Sequence, residues 1–309
     1  MSMQTVPYIW MDGRIVKWED AKIHILTHTL HYGTGVFEGI RCYNTAKGPA
    51  VFRLKDHMQR LVQSAKLIGM QVPYSVPQLC KATKDLIKKN RKKFNEGYVR
   101  PIVYYGYGKM GLDPRGAPVN VAIAVWPWGK YLGEESVAKG VKCKISSWRR
   151  IDSRTVPTGA KVCGYYINSV ISHNEAANAG CDEAILLNTQ GNVAEGPGEN
   201  IFIIKKGVLI TPPLTAGILS GITRKSIIQI AKDKGIKVVE KNLKPADLFR
   251  ADEAFFTGTA AEITPISIID GKKIGIGRRG PITEILQSTF YLVVKGKEKK
   301  YIKWLDFVK

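Results

Sequence analysis

Lysines are abundant in this chain and most are solvated, so Lys161 gains meaning only from its company. Lys161 lies in Pro157-Thr158-Gly159-Ala160-Lys161-Val162-Cys163-Gly164-Tyr165-Tyr166, among small residues, after a proline-threonine turn and just before a helical pattern. A crowded, partly apolar setting disfavours the ammonium form, and a neutral amine is a nucleophile. Tyr166 follows five positions on. Glu195 is a carboxylate set among glycines and a proline in Glu195-Gly196-Pro197-Gly198-Glu199-Asn200, between two apolar strand patterns; an acidic loop tip is the plainer alternative. Gly221-Ile222-Thr223 opens a helical pattern, where N–H groups and a hydroxyl suit an anion in the field of the helix dipole. Taken alone it is also how many helices with no ligand begin. Gly258-Thr259-Ala260 ends an apolar strand and offers further N–H donors.

The elements that must hold these groups follow from periodicity. Tyr8 to Trp18 reads as a hairpin about Asp12-Gly13. Apolar residues at Met58, Leu61, Val62, Ala65 and Ile68 mark one helical face, with Arg60 aimed inward or snorkelling outward. A second helix spans about 76–94, then a strand from Tyr98 to Tyr105 puts Tyr98 and Arg100 on one face. Gly106-Tyr107-Gly108-Lys109-Met110-Gly111 spells G-x-G-x-x-G, yet no helix pattern follows, so the dinucleotide reading fails. Strands at 119–125 and 141–148 flank a Pro/Gly-rich connection, and helices are expected at 165–179, from an opening within 218–224 to 235, and at 281–294. The domains expected are 1–125 and 137–309, joined by a loop over 126–136.

Composition narrows the classes. With 309 residues, 44 % apolar and 24 % charged, the chain reads as an ordinary globular protein. The N-terminus lacks the basic start and apolar stretch of a signal peptide, and no apolar run approaches a membrane span. Five cysteines, scattered and never in C-x-x-C spacing, argue against disulfides and a zinc site and for a cytoplasmic location. His24, His28 and His31 would share a helical face as metal ligands, but no acidic or cysteine ligand lies nearby; a polar loop, with no metal, is expected. The net charge of +21 is spread along the chain without interleaved aromatics, so a solvated surface is preferred over nucleic-acid binding.

An amine nucleophile, a tyrosine, a sheltered carboxylate and two anion sites suit pyridoxal 5'-phosphate: a lysine for the Schiff base, an acid for the pyridine nitrogen, a cradle for the phosphate. At these same residues the chain resembles the branched-chain amino-acid aminotransferases, fold-type IV pyridoxal-phosphate enzymes, nearly end to end. The resemblance rests on HYGTGVFEGIR at 31–41, HMQRL at 57–61, YVRP at 98–101, WPWGKYLG at 126–133, KVCGYYINS at 161–169, EGPGENIF at 195–202, SGITR at 220–224 and GTAAEITP at 258–265.

The resemblance implies an α/β fold, a small N-terminal domain and a larger one with a β-barrel-like core. It implies that Lys161 carries the cofactor and shuttles a proton, that Tyr166 bonds the phenolic oxygen, and that Glu195 keeps the pyridine nitrogen protonated. Arg60, Gly221, Ile222, Thr223, Gly258 and Thr259 are implied as the phosphate cradle. Tyr98 and the N–H groups of Thr259 and Ala260 would take the substrate α-carboxylate. Phe37, Gly39, Tyr131 and Trp128 would border the side-chain pocket, and Arg100 would receive a distal carboxylate. Tyr32 and Leu112 match positions donated by a neighbouring subunit, hence at least a homodimer. The activity implied is amino-group exchange between L-Leu, L-Ile or L-Val and 2-oxoglutarate, in ping-pong fashion; D-amino-acid aminotransferase and (R)-amine transaminase are the alternatives within the fold. Pro197 and Cys163 depart from the small residues frequent there, and the resemblance does not imply the high positive charge.

Overall fold

The computed structural model describes residues 4–129 and 136–308, so Tyr131 lies outside the described residues. The chain forms two compact units, one of Met1–Gly129, Ala160–Tyr165 and Val293–Lys309, the other of Lys130–Gly159 and Tyr166–Leu292. No single cut in the chain separates them.

The first unit begins with the hairpin β1 (Tyr8–Met11) and β2 (Arg14–Lys17), whose turn residues Asp12 and Gly13 both take positive φ, as a two-residue hairpin turn requires. There follow α1 (His28–Tyr32), β3 (Gly35–Phe37), β4 (Ile40–Thr45), β5 (Gly48–Phe52), α2 (Leu54–Leu67), α3 (Val76–Lys89), β6 (Gly97–Tyr105) and β7 (Val119–Trp126), and the C-terminal β17 (Leu305–Phe307) returns to this unit. The strand order is β17-β5-β4-β6-β7-β1-β2, with β3 also beside β6. The helices α2 and α3 each bury one stripe, Leu54, Met58, Leu61 and Ala65 on the first and Leu79, Leu86 and Ile87 on the second, in one core with Ile40, Val99, Val103, Val121 and Ile123 of the sheet. Ser75 and Gln78 form a capping box at the start of α3, with proline in its first turn. Where a polar loop was expected around His28, the chain makes the short helix α1. His28 is fixed by Thr34 Oγ1 at 2.7 Å and the Gly111 carbonyl at 2.8 Å, and among the described residues no cluster able to hold a metal occurs.

The second unit holds α4 (Ser136–Lys139), β8 (Val141–Arg149), α5 (Tyr166–Asn178), β9 (Glu183–Leu187), β10 (Val193–Glu195), β11 (Asn200–Lys205), β12 (Val208–Thr211), α6 (Ile222–Asp233), β13 (Val238–Glu240), α7 (Pro245–Phe249), β14 (Glu253–Gly258), β15 (Glu262–Ile269), β16 (Lys272–Lys273) and α8 (Pro281–Val294). Its strands run β10-β9-β8-β15-β14-β11, and β10 pairs again with β11, so these six close a barrel. The seam is a single pair, Glu195 opposite Asn200. Residues 193–204 are thus two strands joined by a tight connection, with Gly196 N–H donating to the Glu199 carbonyl at 2.7 Å. Ile185, Val193, Ile201, Ile203, Phe256 and Ile266 share one core, each worth about 1.5–3 kcal/mol when fully buried.

Candidate active site

Lys161 belongs to the first unit. Its N–H donates to Ser64 Oγ of α2 at 3.0 Å, and its carbonyl accepts from Phe37 N–H of β3 at 3.1 Å. Val36 pairs with Val162 as an isolated bridge. Ala160 and Val162 are buried, and Lys161, between them, is half-buried with Nζ 4.9 Å from the Phe37 ring centroid. The segment runs close to α1: Gly164 N–H donates to the Gly33 carbonyl, and a Cβ on Gly33 would stand 2.7 Å from Gly164 Cα.

Arg60 points inward from α2. Its Nε and Nη2 donate to the two oxygens of Glu38 at 2.5 and 2.8 Å, and His57 Nδ1 meets Glu38 Oε2 at 2.7 Å. Glu38 is 0 % exposed and Arg60's side chain 14 %. Burial alone would raise a carboxyl's pKa, but the Arg60 guanidinium and His57 outweigh it and hold Glu38 well below the usual carboxylate range. Burial depresses the His57 imidazole, with Glu38 offsetting part of that, so Nδ1 carries the proton of a neutral ring.

Tyr98 and Arg100 share one face of β6, as two-residue spacing predicts. The Arg100 guanidinium carbon lies 4.7 Å from the Phe37 ring centroid, 5.3 Å from Tyr98 and 5.9 Å from Trp126. Its buried Nε has no hydrogen-bond partner among the described residues. Trp128 meets Tyr98 edge-on at 4.6 Å, and Arg41 Nη1 donates to the carbonyls of Trp128 and Gly129 at 3.1 and 2.9 Å. Gly39 is required for space, since a Cβ there would lie 1.7 Å from Tyr98 Oη. Tyr32 and Leu112 are exposed, Leu112 at 90 %, as are Ile25, Leu30, Tyr107 and Met110 of the same stretches of chain.

The second unit holds the other group. Glu195, buried at the barrel seam, accepts from Arg150 Nε on Oε1 at 2.7 Å, from Asn200 Nδ2 on Oε2 at 2.9 Å, and from Leu219 N–H at 3.3 and 3.1 Å. Gly221 is the N-cap of α6, and no side chain caps that helix; Ile222 and Thr223 of its first turn are buried. A Cβ on Gly221 would fall 1.9 Å from Asn200 Oδ1, so this glycine lets the helix start pack on the residue that holds Glu195. Gly258 ends β14 against the Gly198 carbonyl, and Thr259 and Ala260 form the turn into β15. Tyr166 is the first residue of α5. Lys161, Arg60, Phe37, Gly39, Tyr98, Arg100, Trp128, Tyr32 and Leu112 therefore lie in the first unit, and Tyr166, Glu195 and the two Gly-Thr turns in the second.

Sequence reasoning passed over the partners that hold these groups: Glu38 and His57 on Arg60, Arg150 and Asn200 on Glu195, Arg41 on Trp128. A signal existed for His57, three residues before Arg60 and hence on the same helical face. Nothing local marked Glu38 or Arg150.

A buried carboxylate fixed by four donor contacts, one of them from a guanidinium, fits a protonated ring nitrogen, and a helix start with glycine as its N-cap fits a phosphate. The chain belongs to the class IV amino-transferases, the pyridoxal-phosphate-dependent transaminases of fold type IV: that family's sequence profile matches residues 35–269. A branched-chain-amino-acid aminotransferase of Pseudomonas aeruginosa is 50 % identical over 301 residues, 97 % of each chain. The crystal structure of the Escherichia coli branched-chain amino acid aminotransferase superposes with a TM-score of 0.96 at 46 % identity, covering 99 % of this chain and 100 % of that one. The branched-chain aminotransferase of the thermophilic archaeon Thermoproteus uzoniensis, solved with norvaline, gives 0.94 at 48 % identity, with 99 % and 100 % covered.

Proposed function

We propose that this chain exchanges the amino group between L-leucine, L-isoleucine or L-valine and 2-oxoglutarate, with pyridoxal 5'-phosphate as cofactor. When bound, that group supplies an aldehyde for the substrate amine and a ring that accepts the electron pair left when the Cα–H bond breaks. The ε-amine of Lys161 would hold the cofactor and, when free, would serve as the base that takes the substrate's Cα proton on Nζ. Glu195 keeps the ring nitrogen protonated, and Tyr166 donates to the phenolic oxygen. For the phosphate, the first unit offers Arg60, and the second the α6 N–H groups of Ile222 and Thr223, and Thr259.

The observation that carries the substrate reading is the aromatic box about Arg100. Rings of Phe37, Tyr98 and Trp126 suit a branched aliphatic side chain, and the guanidinium among them suits the distal carboxylate of glutamate. One pocket then serves both half-reactions. For the α-carboxylate, the first unit offers Tyr98 and the second the N–H groups of Thr259 and Ala260. Exposed apolar residues such as Tyr32 and Leu112 suit burial against a second copy of the chain, which supports a homodimer or larger homo-oligomer; free, scattered cysteines support a cytoplasmic location, and among the described residues no helix is long and apolar enough to cross a membrane. A donor panel of L-Leu, L-Ile, L-Val, D-Ala and an (R)-amine with 2-oxoglutarate tests this. Turnover confined to the L-branched donors is expected, and turnover with D-Ala or the amine in their place would overturn it.

A further inference from the structure

Arg150 lies just beyond the end of β8 and has no part in the function proposed above. Its N–H donates to the Leu187 carbonyl of β9 at 2.8 Å, and Glu195 stands opposite Leu186 of the same strand. The guanidinium therefore reaches across β9 to meet Glu195 Oε1 at 2.7 Å. Both strand pairs are irregular beside these residues, β8 with β9 between Ile145 and Arg149 and β10 with β9 between Val193 and Glu195. Such irregularities re-aim side chains, and here they turn a cation and a carboxylate from separate strands onto one another. Both side chains are largely buried, at 12 % and 6 % exposure. Asn200 Nδ2 and the Leu219 N–H also donate to the carboxylate, and Glu199 belongs to the same connection between β10 and β11. The Glu199 Oε2 lies 2.8 Å from where a Cβ on Gly196 would stand, and accepts from Gly198 N–H at 3.0 Å. Burial favours a protonated carboxyl, and the Arg150 guanidinium at 2.7 Å is a formal cation that opposes it.

We propose that Arg150 is a positioning residue, holding the Glu195 carboxylate ionised and aimed so that it can pair with the protonated ring nitrogen of pyridoxal phosphate. This rests on the cofactor role given to Glu195 above. Removing the cation lets Glu195 take a proton at higher pH, and a neutral carboxyl no longer pairs with the ring.

The test uses full-length holoenzyme: wild type, Arg150→Met, Arg150→Lys and Glu195→Gln. Two quantities are read, the dissociation constant for pyridoxal phosphate and the pH at which the cofactor is lost on acidification, followed by absorbance after desalting. For Arg150→Met we expect affinity lower by about tenfold and release moved up by about one pH unit. Arg150→Lys keeps the charge and should bring release back toward wild type. Glu195→Gln should lose affinity without a release step that depends on residue 150. If Arg150→Met does not fold, Arg150→Gln, which keeps a donor and loses the charge, should show the same upward move. Release at the wild-type pH in a folded, uncharged variant would overturn the proposal, whatever its thermal stability. Wild-type protein that takes up no pyridoxal phosphate would remove the cofactor reading itself, and the proposal with it.

Discussion

Glu38 is the most exacting place to perturb the first unit. It is fully buried and accepts from His57 Nδ1, Arg60 Nε and Arg60 Nη2. Glu38→Gln keeps the shape but offers one acceptor oxygen where three donors converge, and turns an NH2 group toward cations and donors. Removing one partner of a buried ion pair costs about 3–5 kcal/mol, because the other charge stays behind. Arg60 keeps 14 % of its side-chain exposure, so some of its charge can be hydrated, and the lower end, about 3 kcal/mol, is expected. For a domain of roughly 150–250 residues that is a fall in Tm of about 6–12 °C, read by thermal melts of the cofactor-free protein. The double variant Glu38→Gln/Arg60→Met removes the stranded cation and should recover part of the loss. The pH dependence has a definite sign. Glu38 is held below its ordinary value of 4.5, so the advantage of wild type over the variant is complete above pH 4.5 and shrinks as pH falls toward the folded value. His57 acts in the same direction in wild type: burial lowers it from 6.5, so below that pH the unfolded chain gains a proton that the folded one refuses. A Tm within about 2 °C of wild type at neutral pH, or a double variant less stable than Glu38→Gln, would refute this account.

Gly221→Ala should lower pyridoxal-phosphate affinity by about tenfold or more, because its Cβ would fall 1.9 Å from Asn200 Oδ1 and displace a donor from Glu195; equilibrium dialysis checks it. Arg100→Met should spare the leucine half-reaction while raising KM for 2-oxoglutarate by about 10- to 100-fold, the loss of a charged hydrogen-bonding partner; separate half-reaction kinetics decide. Cys42, raised to about 12, and Cys143, raised well above its ordinary value, both by burial, should resist a thiol reagent in native protein and react only on denaturation.

What could be read from the chain was local. The helices α2, α3, α5, α6 and α8 announce themselves by one-sided apolar spacing, and the first hairpin by Asp12-Gly13. Glu195 stood out because a carboxylate among glycines between apolar strands is unusual, and the α6 start because Gly221 and Thr223 are its first signals. Pairings between distant segments left no such trace. Lys161 is held by Ser64, 97 residues away, and Arg150 by Glu195, 45 away. Strand β17 joins β5 from the far end of the chain, and the barrel closes through Glu195 and Asn200 alone. Periodicity reports which face of an element is buried, whereas the choice of partner is made by tertiary packing. The same limit explains why Arg60 was legible and Glu38 was not: the arginine's helical face was visible, the carboxylate that meets it was not.

Lys161 is the residue on which the cofactor would be carried. Holoenzyme reduced with borohydride and digested should carry one phosphopyridoxyl group, located by peptide mass spectrometry on the peptide containing Lys161. A phosphopyridoxyl group on another lysine, with Lys161 unmodified in active enzyme, would contradict it.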